Sequence, residues 1–186
     1  MPEIRTCVTL SPIPGFVKWL SSNEGAAAAA QIVSARDLAV LQEGLVGQQQ
    51  PTAPPSSTPA SPAAAIAALV KATSAAPKPL DDRLQRPLQR LCVRYLTGPF
   101  SSRASIDPVE RFHLGNGARI EHVHWNAHTA TARGLRESAG LMVSYGYSLD
   151  EHELDSNHRQ FHTAATIKMA QAISAVVESN PPASKL

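Results

Sequence analysis

The chain is poor in cysteine: Cys7 and Cys92 are the only two in 186 residues. That excludes a disulfide framework or a cysteine-based zinc module, and reduced thiols in an intracellular compartment are expected. Charge of one sign is also lacking. The 17 Lys and Arg nearly balance 15 Asp and Glu, leaving a formal net charge of +2. Bulk attraction to nucleic acid or to a membrane surface is therefore no basis for function. Long hydrophobic runs are missing. The wholly apolar runs, such as the alanine cluster that follows Gly25, are far below the ~20 residues of a membrane span. The opening MPEIRTCVTL lacks the basic-then-apolar layout of a secretory signal.

What is present falls into segments of different character. Residues 4–10 (IRTCVTL) are β-branched and apolar enough for a short buried strand. Ser11-Pro12-Ile13-Pro14-Gly15 forces a turn, and Phe16, Val17, Trp19 and Leu20 then start a helix. Residues 24–46 read as one helix with an imperfect apolar stripe. From Gly47 the composition shifts to Pro, Ser, Thr and Ala, and 47–79 reads as a disordered insertion containing at most a weak alanine-rich helix over Ala63–Ser74. Leu84, Leu88, Leu91 and Tyr95 lie at i, i+4, i+7 and i+11, one apolar face of a helix within Leu80–Tyr95. Residues 97–106 read as a loop, Ala118–Trp125 and Gly140–Tyr147 as strands, and the polar stretch between them as turn-like, which suggests an antiparallel pair with a longer crossover as the alternative. Asp150–His158 reads as a solvated acidic loop, and an amphipathic helix over Ser156–Glu178 closes the ordered chain.

The stretch Asp107–Asn126 carries the strongest local signal. Asp107-Pro108 opens a turn and Asn116-Gly117 makes a second. Between them His113 sits among Phe112 and Leu114, where apolar neighbours can tune an imidazole. On local pattern alone the core-lining histidine with one satisfied hydrogen bond is the favoured reading. Ser11 stands at the strand–turn–helix bend, where an exposed hydroxyl and a backbone nest can coincide, or where it simply caps the helix.

Two other chemistries compete. His122, His124 and His128 suggest a metal, since residues two apart on a strand share a face. No cysteine or carboxylate cluster completes that set in register. Ser11, His113 and Asp107 also match a hydrolase triad by residue type. Against it, the G-x-S-x-G elbow is absent and Pro12 removes an N–H that an oxyanion hole would use.

Four blocks occur in order: LSPIPGFVKWL (Leu10–Leu20), RPLQRLCVRYL (Arg86–Leu96), DPVERFHLGNG (Asp107–Gly117) and SAGLMVSYGY (Ser138–Tyr147). Together they resemble the C-terminal part of the malonyl-CoA decarboxylase catalytic domain. The likeness covers 5–20 and 84–148, is loose beyond, and does not extend over 45–80. It implies an α+β fold: a partial N-acetyltransferase-like, acyl-CoA-binding sheet with flanking helices, incomplete on its N-terminal side. Residues 1–46 and 80–180 would belong to the catalytic domain, 47–79 would be an insertion, and 181–186 a flexible tail. The implied activity is decarboxylation of malonyl-CoA to acetyl-CoA and CO2, a carboxy-lyase reaction of fatty-acid metabolism that uses no metal and no organic cofactor. Ser11 and His113 match the family's catalytic positions, and Tyr147 matches a tyrosine lining the substrate pocket. Malonyl-CoA is the implied substrate, and the full-length family enzyme assembles as a homo-oligomer. The last three residues, Ser184-Lys185-Leu186, spell a peroxisomal address read by an import receptor. The peroxisome is the expected location, with mitochondrion and cytoplasm as alternatives. The family's helical domain, the early strands of its sheet and an acidic site residue have no counterpart here. The competing expectation is thus a non-catalytic fragment that acts only by association.

Overall fold

Three short strands decide which way the molecule faces. The computed structural model describes residues 3–46, 61–75, 77–98, 107–164, 166–171 and 173. Strands β1 (Thr6–Pro12), β2 (Arg119–His124) and β3 (Met142–Ser148) form an antiparallel sheet in the order β1-β3-β2. Side chains alternate across a strand, and the register pairs Thr9 with Tyr145, Ser11 with Val143 and Cys7 with Tyr147 on one face. On that face Val143 and Tyr145 are buried. The other face carries Val8 and Leu10, which are 62% and 56% exposed. The strand expected over 4–10 is therefore present but not buried. Among the described residues it is an edge strand with a single partner, and its outer face is open to solvent.

The helices build most of the core. α1 (Phe16–Leu20) follows the SPIPG turn as expected. The single helix expected over 24–46 is instead α2 (Asn23–Ile32) and α3 (Ala35–Val46). The break falls at Ser34, whose hydroxyl accepts from the Asp37 N–H (3.2 Å) while the Asp37 carboxyl accepts from the Ser34 N–H (2.9 Å). That reciprocal pair starts a new helix rather than continuing the old one. α4 (Pro62–Ala75) is a core element. Ala65, Ile66, Leu69 and Val70 are at most 4% exposed, and the helix packs on α2, α3 and on α7 (Ala132–Ser138). Thr73 and Ser74 donate to carbonyls four residues back, so their burial leaves no orphaned hydroxyl. The remainder of the low-complexity stretch, 47–60, lies outside the described residues. α7 occupies the polar stretch expected to be a turn. Its N-cap, Thr131 accepting from the Gly134 N–H at 3.0 Å, supplies a helix start that the polar composition conceals.

A short 3-10 turn (Asp82–Leu84) leads into α5 (Gln85–Leu96), and Leu84, Leu88, Leu91 and Tyr95 are buried as the spacing predicts. Pro87 falls in the first turn of α5, where its missing N–H has no intrahelical role. The expected acidic loop is the beginning of α8 (Glu151–Ala164), with Glu151 and Glu153 placed where the helix dipole favours them. The helix expected over Ser156–Glu178 is interrupted: α8 ends at Ala164, and Gln171 and Ile173 are helical again. After Ala164 the chain runs beside β2: the Ile120 N–H donates to the Lys168 carbonyl at 2.9 Å and the Ala170 N–H to the Ile120 carbonyl at 2.8 Å. Ile167 and Ala170, three apart, mimic helical spacing, yet the second edge of β2 offers backbone partners that a helix would forgo.

Because α4 is embedded, trimming it should be costly. Ile66→Ala is expected to lower unfolding free energy by about 2–5 kcal/mol, the range for deleting a buried aliphatic side chain. A urea denaturation midpoint unchanged from the parent would show that α4 is not part of the folded core.

Candidate active site

The site is assembled by a buried carboxyl group. Asp107 is 1% exposed. Its Oδ1 accepts from the Val109 N–H at 2.9 Å and caps α6 (Pro108–Gly115), with Pro108 in the first helical position. The segment expected as a turn and a triplet is therefore a helix, and the same Asp-Pro pair that reads as a turn serves as its start. A helix carries residues three and four apart on one face, so Glu110, His113 and Leu114 all point inward. Asn116-Gly117 does form the expected turn, with Gly117 at φ +83°.

The second oxygen of Asp107 reaches across the fold. Oδ2 accepts from the Gly15 N–H at 2.9 Å and from the Tyr95 hydroxyl at 3.2 Å. This draws the SPIPG turn against α5 and α6. A Cβ on Gly15 would lie 2.1 Å from the Tyr95 oxygen, so no larger residue fits without displacing it. The turn thereby sets where β1 ends, and β1 carries Ser11.

Ser11, His113 and Tyr147 meet. The Ser11 hydroxyl lies 3.0 Å from His113 Nε2, and the Tyr147 hydroxyl lies 2.7 Å from His113 Nδ1. Thr9 stands 3.4 Å from the Ser11 oxygen. In a neutral imidazole one nitrogen donates and the other accepts, so a hydroxyl occupies each role. Burial holds the His113 pKa below its ordinary value, favouring the neutral ring. Burial raises Tyr147, which stays an O–H donor. The Tyr145 ring stacks on the imidazole with centroids 4.3 Å apart, and Phe112 meets it edge-on at 5.2 Å. The imidazole is held by two hydrogen bonds and two rings. Hydroxyl, imidazole and hydroxyl in series can pass a proton or present O–H and N–H groups to a developing oxyanion.

Asp107 does not complete a hydrolase triad. Its oxygens are engaged by Val109, Gly15 and Tyr95, and the nitrogen of His113 that a triad aspartate would orient faces Tyr147. The histidine cluster is not drawn together either. His122 and His124 meet edge to face at 4.7 Å, His124 bonds Ser144 at 2.9 Å, and His128 bonds Thr131. Among the described residues no group of three or more potential ligands could hold a metal ion.

Glu110 is a buried carboxyl group beside Asp107 that the sequence pattern does not single out. It is 1% exposed, and its Oε1 is buried with no hydrogen-bond partner. Burial first, and the adjacent Asp107 second, push its pKa well above the usual carboxyl range. Its signal lies in its spacing, one helical turn before His113, and it becomes legible only once α6 is known to be a helix. The Ser184-Lys185-Leu186 ending lies outside the described residues.

Comparison with known proteins points one way. The family described as the malonyl-CoA decarboxylase C-terminal domain matches residues 1–186. The mitochondrial malonyl-CoA decarboxylase of Mus musculus is 31% identical over 197 residues, which include all of this chain and 35% of the mouse protein. A crystal structure of malonyl-CoA decarboxylase from Cupriavidus metallidurans superposes with a TM-score of 0.66 at 29% identity, covering 93% of this chain and 38% of that one. The enzyme from Rhodopseudomonas palustris gives 0.62 at 30% identity, over 92% and 33%. The chain thus spans about a third of the length of these relatives.

The position of Glu110 predicts a pH signature. With its folded pKa raised, the native state holds a proton that the unfolded chain releases above about pH 4.3. Stability should therefore fall as pH rises from that point towards the folded pKa. His113 acts oppositely, since its lowered pKa makes stability rise with pH up to about 6.5. The difference between parent and variant isolates the Glu110 contribution, because His113 is common to both. Glu110→Gln should lessen the fall of the urea midpoint as pH rises above about 4.3; a pH profile identical to the parent's would place the titrating group elsewhere.

Proposed function

Since the chain belongs to the malonyl-CoA decarboxylase family, we propose that Ser11, His113 and Tyr147 form the proton-handling part of a site that converts malonyl-CoA to acetyl-CoA and CO2. The observation carrying this reading is the 3.0 Å contact between Ser11 and His113 with Tyr147 on the opposite ring nitrogen. All three are the positions singled out by resemblance, and they come from β1, α6 and β3.

The chemistry accounts for these residue types. Breaking the bond between the β-carboxyl carbon and the α-carbon of a malonyl thioester releases CO2 and leaves the electron pair as an enolate on the thioester oxygen. Donors aimed at that oxygen stabilise the charge by about 3–4 kcal/mol each. The α-carbon then takes one proton to give the acetyl thioester. A neutral His113 carrying its proton on Nε2 directs it towards Ser11 and the site, while the Tyr147 O–H bonds Nδ1 and fixes that tautomer. Ser11 holds the malonyl group, and His113 gives its Nε2 proton to the α-carbon while Nδ1 takes the proton of the Tyr147 hydroxyl, which solvent restores, with no metal or organic cofactor taking part.

The sheet is assigned to the N-acetyltransferase-like, acyl-CoA-binding class on the strength of family membership. The mouse relative is named as mitochondrial; we place this chain in the peroxisome on its Ser184-Lys185-Leu186 ending, with import through the receptor for that tripeptide. Assembly as a homo-oligomer is part of the same reading. One observation favours a second reading. β1 leaves an open edge beside exposed Val8 and Leu10, which suits a fragment that works by association with further polypeptide.

Formation of acetyl-CoA from malonyl-CoA by the purified chain separates the two. His113→Ala should lower kcat by about 10²–10⁴-fold, the usual worth of a positioned acid or base. Tyr147→Phe, which keeps the ring and removes one hydrogen bond, should cost about tenfold. Undiminished turnover in His113→Ala would remove the assigned role, and a folded parent with no turnover would favour the association reading.

A further inference from the structure

Away from the Ser11–His113 site, positive charge collects in one concave place. Arg36 on α3, Arg83 just before α5, and Arg86 and Arg90 along α5 surround a cavity of about 320 Å³, with Ile32, Val40 and Pro87 as an apolar wall. Two of its charged residues are already engaged. Arg83 pairs with Asp81 at 2.7 Å and with Glu43 at 3.1 Å, and the Asp37 carboxyl accepts from the Ser34 N–H and hydroxyl. Arg36, Arg86 and Arg90 have neither an ion pair nor a hydrogen bond among the described residues. Arg86 and Arg90 are four apart on one helix, a spacing at which like charges repel. A third unpaired guanidinium from another helix adds to that repulsion.

We propose that this pocket binds the phosphate groups of a phosphorylated organic ligand of the nucleotide class. Guanidinium groups present planar donor forks that match phosphate oxygens in pairs, and three of them suit a polyanion better than a single carboxylate. The volume is at the low end for small-molecule sites, which run from about 300 to 1,000 Å³. That is room for a diphosphate and part of its organic body, and the Ile32–Val40–Pro87 wall gives that body an apolar surface. α5 connects this pocket to the site described above. Tyr95, which donates to Asp107, follows Arg86 by nine residues, or about 14 Å of helix rise. The phosphates have two possible sources: the nucleotide carrier of an acyl thioester substrate, or a separate free nucleotide. The carrier source rests on the decarboxylase reading; the phosphate pocket does not.

Isothermal titration of the chain with inorganic pyrophosphate and with ADP tests this, with adenosine as the phosphate-free control. Both anions should bind saturably and more weakly as salt is raised, and adenosine should not. Arg36→Gln and the pair Arg86→Gln with Arg90→Gln alter partly or fully exposed side chains, and each should weaken ADP by about tenfold or more. No saturable binding to the parent, or equal affinity in the variants, overturns the proposal. The source is read separately. If coenzyme A displaces ADP and the variants raise KM for malonyl-CoA at unchanged kcat, the phosphates are the substrate's. If ADP binds while KM is unmoved, they belong to a separate ligand. Failure of the decarboxylase reading would show as absent turnover with the ADP titration intact.

Discussion

One carboxyl group sets the geometry on which the site depends. Asp107 has two oxygens and satisfies three donors from three parts of the chain: the Gly15 N–H, the Tyr95 hydroxyl and the Val109 N–H. Buried polar atoms need such partners, and here the requirement is met only when the SPIPG turn, α5 and the start of α6 converge. The cap fixes where α6 begins, hence the phase at which His113 points inward. The tether fixes the turn after β1, hence where Ser11 stands. The contact between Ser11 and His113, 102 residues apart, is a by-product of an aspartate that touches neither.

The groups around this core are pushed towards their neutral forms. Cys92, Tyr95 and Tyr145 are raised chiefly by burial, with Glu110 and Asp107 adding to the effect, and Glu110 is itself raised. His113 is lowered. Such an environment supplies O–H and N–H donors without a formal positive charge. A negative charge developing on a bound group is then met by fixed dipoles in a poorly screened space, where they count for more than in water.

Much of this is legible in the sequence, for identifiable reasons. Ser11, His113 and Tyr147 stand out because ordered motifs persist in spacing even where local pattern is ambiguous. α5 is legible because Leu84, Leu88, Leu91 and Tyr95 repeat at helical intervals. The turns at Pro12–Gly15 and Asn116-Gly117 follow from backbone sterics alone. The misses have physical causes too. Asp-Pro favours a turn and a helix start equally, and only a distant partner for the second carboxyl oxygen decides between them. Alanine buries little area per residue, so α4 reads as a weak helix, and its worth comes from neighbours of Ile66, Leu69 and Val70 that the sequence does not announce. Ile167 and Ala170 keep an apolar period of three, but β2 offers hydrogen bonds that the period cannot reveal. Glu110 cannot be singled out before its helix is known.

The edge position of β1 makes the presence of Ser11 in the site a question of parity. Along a strand, odd and even residues look to opposite faces, and a slip of one residue against β3 would turn the serine outward and bring Leu10 or Pro12 to face His113. An interior strand resists such slips with two ladders, whereas β1 has one. The Asp107–Gly15 bond lies four residues beyond Ser11 and acts as a registration pin for that single ladder. The odd count of the strand is thus enforced from outside the sheet, by a turn too tight to take up a spare residue.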